Sequence, residues 1–308
     1  MNFDVTILGS NSALPTSNRF PTAQIVNLMQ RYFLLDCGEG TQMQLRKYRI
    51  PFNRINHIMI SHLHGDHYFG LIGLISTMNL LKRNGDLHIY AHSELPKLIA
   101  PQLEILKDEL TFRIVWHPLS FKSPQKIYED KTIEVHSFPV DHRVSCCGFL
   151  IKEKERFPHL RKEKIEFYNV PIKDRIRIKE EGADFITPEG KTIPNSYFIK
   201  PATPPRSYAF CTDTRYMEKI IPTIENCDLL YHEATFANDM QAMARQTYHA
   251  TAREAAQIAS KAKVGKLLIG HFSARYTNLN VLLNEAKEKF RNTELALEGN
   301  TFSIEIKK

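Results

Sequence analysis

The segment His62-Leu63-His64-Gly65-Asp66-His67 constrains this chain more than any other feature of its sequence. It follows Ile58–Ile60, an apolar run that reads as a buried strand ending at Ser61. Residues just beyond a strand stay extended, so His62 and His64 point to the same side. Gly65 allows a sharp turn, and Asp66 and His67 then open the next helix facing the same cavity. Four ligand-type side chains in six positions exceed what one ion takes from one loop, since a tetrahedral zinc site uses about four ligands in all. The economical arrangement is two ions, with His62 and His64 on one and Asp66 and His67 on the other. The bland alternative is a polar surface loop, which requires three histidines and an aspartate to gather by chance directly after a buried strand.

Two ions need further ligands, and three other places repeat the context of a strand followed by a polar residue. Ile133–Val135 leads through Pro139-Val140-Asp141 to His142. Tyr208–Phe210 leads through Cys211 and Thr212 to Asp213, and Leu267–Ile269 leads through Gly270 to His271. Ligands at strand ends converge on one edge of a layered α/β fold, where sites form. The three complete the coordination, and Asp213 has two oxygens with which to bridge the ions. Of the 13 histidines, His57, His88, His92, His117, His136 and His159 lack this context and read as surface or hydrogen-bonded core residues.

Other apolar runs recur at Val5–Leu8, Ile25–Leu28, Tyr32–Leu35, Leu87–Tyr90 and Leu229–Tyr231. Helical patterns lie between some of them, at Gly70–Leu81 and at Thr251–Ala262, the latter opening on the capping-box signature Thr251-Ala252-Arg253-Glu254. Strands mixed with helices imply α/β layers. With 308 residues, 43% of them hydrophobic and 24% charged, the chain buries a large core, which excludes disorder. Its five cysteines are odd in number and form no C-x-x-C pair, which argues for a reducing compartment, the cytoplasm. The N-terminus reads as a strand rather than a signal peptide. The longest uncharged, mostly apolar run, Tyr68–Leu81, is too short to span a bilayer. From Lys152 to Lys179 there are ten Lys/Arg against five Asp/Glu, with Pro158 and Pro171 inside the stretch. This stretch reads equally as an insertion leaving the core or as a solvated helix with a long loop. Together with a formal net charge of +7 it favours a polyanionic partner.

His-x-His-x-Asp-His after a strand resembles the metallo-β-lactamase fold superfamily, a likeness that implies fold and metals but leaves the substrate open. Further segments resemble ribonuclease Z, the tRNA 3′-processing endonuclease family. They are Leu35-Asp36-Cys37-Gly38-Glu39-Gly40-Thr41-Gln42, Leu14-Pro15-Thr16 with Arg19 nearby, His232-Glu233-Ala234-Thr235-Phe236, and Gly270-His271-Phe272-Ser273-Ala274-Arg275-Tyr276. The resemblance runs from about Phe3 to the end and is weakest in the basic insertion. It implies an α/β fold, a four-layer αβ/βα sandwich. Residues 1–149 and 200–308 would form the metallo-hydrolase core, and residues 150–199 an inserted basic arm serving as a tRNA-binding exosite. It implies two zinc ions per chain, one held by His62, His64 and His142, the other by Asp66, His67 and His271, with Asp213 bridging. Other divalent metals suit the same donors. Precursor tRNA and a second copy in a homodimer are the implied partners, and no membrane is involved.

The resemblance also implies the reaction: removal of the 3′ trailer from precursor tRNA, leaving a 3′-hydroxyl on the tRNA and a 5′-phosphate on the trailer. Two ions about 3.5–4 Å apart suit in-line displacement at a phosphodiester, and zinc brings the pKa of bound water toward about 7, supplying hydroxide. Asp66 is expected beside that water. His249 resembles the family's catalytic histidine and is the expected proton donor to the leaving oxygen. It precedes the Thr251 cap, where the helix dipole disfavours imidazolium, so a carboxylate partner is needed and Glu233 is the candidate. Three departures from the family pattern stand out. His249-Ala250-Thr251 replaces His-Ser-Thr, Thr212 rather than Gly precedes Asp213, and Asn169-Val170-Pro171-Ile172-Lys173 lacks the arm's Gly-Pro. The competing readings are a metallo-β-lactamase-fold hydrolase of a small phosphodiester or thioester, and an RNA-binding protein with a relic site.

Overall fold

Strands that carry apolar residues on both faces need cover on both, and this requirement sets the layering. The computed structural model describes residues 2–14, 16–104 and 109–307; Pro15, within the Leu14–Thr16 segment singled out above, lies outside them. The first sheet runs in order through β1 (Phe3–Gly9), β2 (Ala23–Leu28), β3 (Arg31–Leu35), β4 (Ile55–Met59), β5 (Leu87–Ala91) and β6 (Ile114–Pro118). Pairing is antiparallel from β1 to β3 and parallel from β3 to β6. The second sheet begins with an antiparallel meander of β7 (Gln125–Glu129), β8 (Ile133–Val140) and β9 (Cys146–Glu153). An excursion follows, carrying the two-residue strands β10 (His159–Leu160), β11 (Phe185–Ile186), β12 (Thr192–Ile193) and β13 (Ile199–Lys200). The chain then rejoins the second sheet with β14 (Ser207–Cys211), antiparallel to β9, and adds β15 (Leu229–Glu233), β16 (Lys266–Gly270) and β17 (Thr293–Leu295) in parallel. The last strand, β18 (Thr301–Ser303), returns to the first sheet beside β1.

Side chains alternate between the faces of each strand. Val5, Ile7, Phe33, Leu35 and Met59 of the first sheet meet Val135, Phe149, Ile151, Phe210 and Tyr231 of the second in the core between the sheets. On the other face of the first sheet, Leu8, Leu34 and Ile58 pack against Leu71, Leu74, Ile75 and Met78 of the helix Leu71–Leu80. On the far face of the second sheet, Leu230, Leu267 and Ile269 pack against Ala252, Ala255, Ala256 and Ala259 of the helix Ala252–Lys261. The result is the expected four-layer αβ/βα sandwich. The expected capping box starts that second helix. Glu254 N donates to Thr251 Oγ1 at 3.2 Å and Thr251 N to Glu254 Oε2 at 3.0 Å, satisfying two backbone donors that the helix cannot.

Strands β6 and β7, and the charged end of β9, escape a reading by apolar runs. β6 and β7 stand at the edges of their sheets and are only partly buried, so polar residues interrupt them. β9 extends through charged residues: Lys152 pairs with Glu134 at 2.7 Å and Glu153 pairs with Arg206 at 2.8 Å. The excursion therefore leaves the sheet after Glu153 rather than at residue 150, and returns at Arg206 rather than after residue 199. Between these points Ile165, Val170, Ile178, Phe185, Ile193 and Phe198 form a small core of their own.

Candidate metal centre

The polar side chains of this centre project from strand ends along one edge of the sandwich. Beyond β4, Ser61 and His62 are buried, and His64 is extended (φ −76°, ψ 146°) as the cap of the short helix Gly65–Tyr68, which carries Asp66 and His67. His142 lies just past β8, Asp213 just past β14 and His271 directly after β16. Asp213 (φ 45°) and His271 (φ 56°) adopt left-handed backbone, a region that Asp and His enter more readily than most non-glycine residues. Gly65 is not in that region. The turn does not require a glycine; instead, a Cβ at position 65 would overlap the ring of Phe69.

The seven residues fall into two groups. His64 Nδ1 lies 3.0 Å from His62 Nε2 and 3.2 Å from His142 Nε2, and Asp213 Oδ2 lies 3.6 Å and 3.7 Å from His62 Nε2 and His142 Nε2. Asp66 Oδ2 is 3.2 Å from His67 Nε2 and 3.6 Å from His271 Nε2. Asp213 Oδ1 faces these same two nitrogens at 3.4 Å and 3.1 Å. Within each group the ligand atoms, one from each residue, lie within 4.8 Å of one another. His67 Nε2 and His271 Nε2 are buried without a hydrogen-bond partner, a costly state that a cation would relieve. Burial opposes charge on His67, yet Asp66, Asp213 and Asp36 around it raise its proton affinity well above that of an ordinary imidazole. Asp213 is likewise held well below the usual carboxylate range: burial works against its charge, but His271 and His67 outweigh it. The pocket calls for positive charge, and its donor set fits divalent metal ions.

Residues outside the groups aim these donors. Asp36 (φ 55°), just past β3, accepts from Ser61 N at 2.7 Å, from Ser61 Oγ at 2.9 Å and from His67 Nδ1 at 2.7 Å, leaving His67 Nε2 to face the cluster. His142 Nδ1 donates to the Tyr248 carbonyl at 3.0 Å. His271 Nδ1 lies 2.9 Å from Thr235 Oγ1, which donates to Glu233 Oε2 at 2.6 Å. Arg19 ties the first loop to the last, reaching Asn11 Oδ1 at 2.9 Å and the Tyr276 carbonyl at 3.0 Å. Reading by residue type missed the roles of Asp36 and Thr235. Both lie in segments that carry the family resemblance, and both stand within two residues of the end of an apolar strand, the position also used for Asp213 and His271.

Glu233 and His249 come together beside the two groups. His249 Nδ1 donates to Glu233 Oε1 at 2.8 Å, and the fully buried Glu233 also accepts from Thr214 N at 2.8 Å. Burial lowers the His249 pKa, but the Glu233 carboxylate more than reverses this and raises it to about 9. His249, Asp66, His142 and His271 line one open cavity of about 630 Å³. The six histidines read as ordinary stay outside it; His88 and His117, for instance, bond to each other at 3.0 Å on neighbouring strands.

Two helix-covered sheets with a His/Asp cluster able to hold metal at their strand ends define a class, the proteins of the metallo-β-lactamase fold. A family model described as Beta-lactamase superfamily domain matches residues 162–272, and one described as Anti-Pycsar protein Apyc1 matches residues 3–158. The metallo-β-lactamase fold protein YhfI from Bacillus subtilis superposes with a TM-score of 0.69 at 20% identity, covering 98% of this chain and 100% of that one. Human tRNase Z, short form, superposes with a TM-score of 0.70 at 25% identity, covering 98% and 100%. A ribonuclease Z from Bacteroides thetaiotaomicron is 50% identical over 302 residues, 98% of this chain and 95% of the relative. The chain belongs to the ribonuclease Z family, endoribonucleases of the hydrolase class.

Proposed function

We propose that this endoribonuclease removes the 3′ trailer from precursor tRNA, leaving a 3′-hydroxyl on the tRNA and a 5′-phosphate on the trailer, with two zinc ions per chain. The observation that carries the reading is Asp213, whose two oxygens face two separate groups of ligand-type nitrogens. His62, His64 and His142 with Asp213 would hold one ion, and Asp66, His67 and His271 with Asp213 the other. When bound, such ions acidify water and offset charge on phosphate oxygens. Asp66, which lines the cavity, is held ionised: burial works against its charge, but His67 and His271 outweigh it, so it would accept a hydrogen bond from the attacking water and orient it rather than keep its proton. On the other side of the reacting phosphate, His249 gives its proton to the leaving 3′ oxygen. Glu233 keeps His249 protonated and fixes its ring.

The excursion between Glu153 and Arg206 would serve as the tRNA-binding arm, a reading supported by its separate small core and its basic composition between Lys152 and Lys179. Folded RNA is read largely through backbone and shape, which suits contacts spread over such an arm. A homodimer follows from the family resemblance. All five cysteines are buried and unpaired, in keeping with the cytoplasm, and no helix among the described residues is long and apolar enough to cross a membrane.

The test is cleavage of a precursor tRNA bearing a 3′ trailer, with and without a chelator, with metal content measured and product ends mapped. One chelator-sensitive cut leaving a 3′-hydroxyl is the expected outcome. A metal-loaded protein that leaves the precursor intact yet hydrolyses a small phosphodiester or thioester would discard tRNA as the substrate.

A further inference from the structure

Phe69 follows directly on the short helix that carries Asp66 and His67. A phenylalanine at such a place is ordinarily core, and the nearby His67 and Leu71 are buried, but Phe69 is 59% exposed. Its ring lines the same cavity as Asp66, His142 and His249. Two neighbours hold it there. The ring occupies the space that a side chain at Gly65 would fill, between the two ligand-type residues His64 and Asp66. Tyr68 meets it edge-on, with centroids 5.0 Å apart and planes at 74°. The other phenylalanine of the cavity wall, Phe236, is 5% exposed and lies beneath the Arg275 guanidinium, 5.1 Å from the ring centroid. Of the two phenylalanines of this wall, Phe69 is the one open to a ligand. Arg143 adds positive charge to the same cavity.

We propose that Phe69 is the platform on which a nucleobase flanking the scissile phosphate stacks, making it a positioning and specificity residue for the RNA strand; the inference rests on the RNA-cleaving reading above. A phosphate drawn to the His/Asp cluster brings its flanking nucleotides against the residues beside the cluster, and Phe69 adjoins the cluster through Gly65. Unpaired RNA bases are held by stacking on aromatic rings, a contact that every base is able to make. Arg143 is placed to meet a flanking phosphate, so ring and cation together match the chemistry of a nucleotide. A lone exposed phenylalanine without a ligand would need neither the space kept free at Gly65 nor a place in the cavity wall.

The experiment compares wild type, Phe69→Ala and Phe69→Trp, each checked for metal content and sedimentation. The substrates are an intact precursor tRNA and precursors made abasic, in turn, at each nucleotide flanking the cut. At one of these positions wild type should lose about 5- to 150-fold in kcat/KM when the base is removed. Phe69→Ala should lose a similar factor on the intact precursor, mainly through KM, and nothing further on that abasic one. Phe69→Trp should behave as wild type on both. If wild type is indifferent to every base removed, or if base removal costs Phe69→Ala as much as wild type, no base stacks on Phe69 and the proposal falls. If Phe69→Ala fails to fold, Phe69→Leu, which keeps an apolar side chain without a ring, takes its place in the same comparison. Wild type that leaves the intact precursor uncut would instead remove the tRNA reading beneath the proposal.

Discussion

Asp36 accepts a hydrogen bond from His67 Nδ1 while Ser61 N and Oγ hold its other lone pairs, so a fully buried carboxylate sets the direction of one ligand nitrogen. Asp36→Asn keeps the shape and removes the charge; metal affinity, read by competition with a chelator, should drop by about 10–100-fold. His249→Ala should lower kcat on precursor tRNA by about 10²–10⁴ with metal content unchanged; a fully loaded variant that cuts at the wild-type rate would remove His249 from the mechanism. Glu233 raises the His249 pKa to about 9, so the proton-donating form is present below that value and is lost as pH rises through it. Glu233→Gln should therefore move the alkaline limb of the pH–kcat profile to lower pH, while an unmoved limb would mean that another group donates the proton. The seven ligand-type residues were readable because residue type and a place after a strand are local properties. Asp36 and Thr235 were not readable as orienting groups, because their partners lie elsewhere: His67 for Asp36, and His271 for Thr235.

At the scale of elements, the ends of β9 and β14 are pinned where the excursion leaves and rejoins the sheet. Arg206 grips Glu153 with Nε to Oε2 at 3.1 Å and NH2 to Oε1 at 2.8 Å, and donates through NH1 to the Ile304 carbonyl at 2.7 Å. Both side chains are buried, so Glu153→Gln leaves a buried guanidinium without its counter-charge and should cost about 3–5 kcal/mol in urea unfolding. Burial alone would raise the Glu153 pKa, but the Arg206 contacts lower it overall. A depressed carboxylate contributes its stability above the unfolded value and loses it as pH falls through the folded one, so the gap between wild type and Glu153→Gln should be full at neutral pH, begin to shrink near about pH 4.3 and close only at lower pH. A gap that persists into acid would show that the pair is not the cause. The helix Ala252–Lys261 was legible from Thr251-Ala252-Arg253-Glu254 because a capping box lies within four residues. The end of β9 was not, because Lys152 and Glu153 look like loop residues until Glu134 and Arg206, from other segments, neutralise them.

Across the whole molecule, the proposed arm and the centre are separable in construction, since the arm has its own core and a clamped root. Deleting residues 155–204 with a short glycine-serine join keeps the clamp. The deletion should weaken precursor tRNA cleavage by about tenfold or more at moderate salt and flatten its salt dependence, with a far smaller loss on a small phosphodiester. Equal losses on both substrates would discard the arm as an exosite. The sequence by itself determined the layered α/β class, the identity of the ligand-type residues and the place of the His249 loop, because hydrophobic period, residue chemistry and caps are written over a few neighbouring positions. Only the tertiary structure decided that Asp213 turns one oxygen to each group, that Asp36 stands behind His67, that Phe69 fills the space above Gly65, and that Glu153 closes on Arg206. Each of these joins residues from different turns or strands, and their meeting depends on sheet register and on how the layers stack, which no local pattern of residues contains.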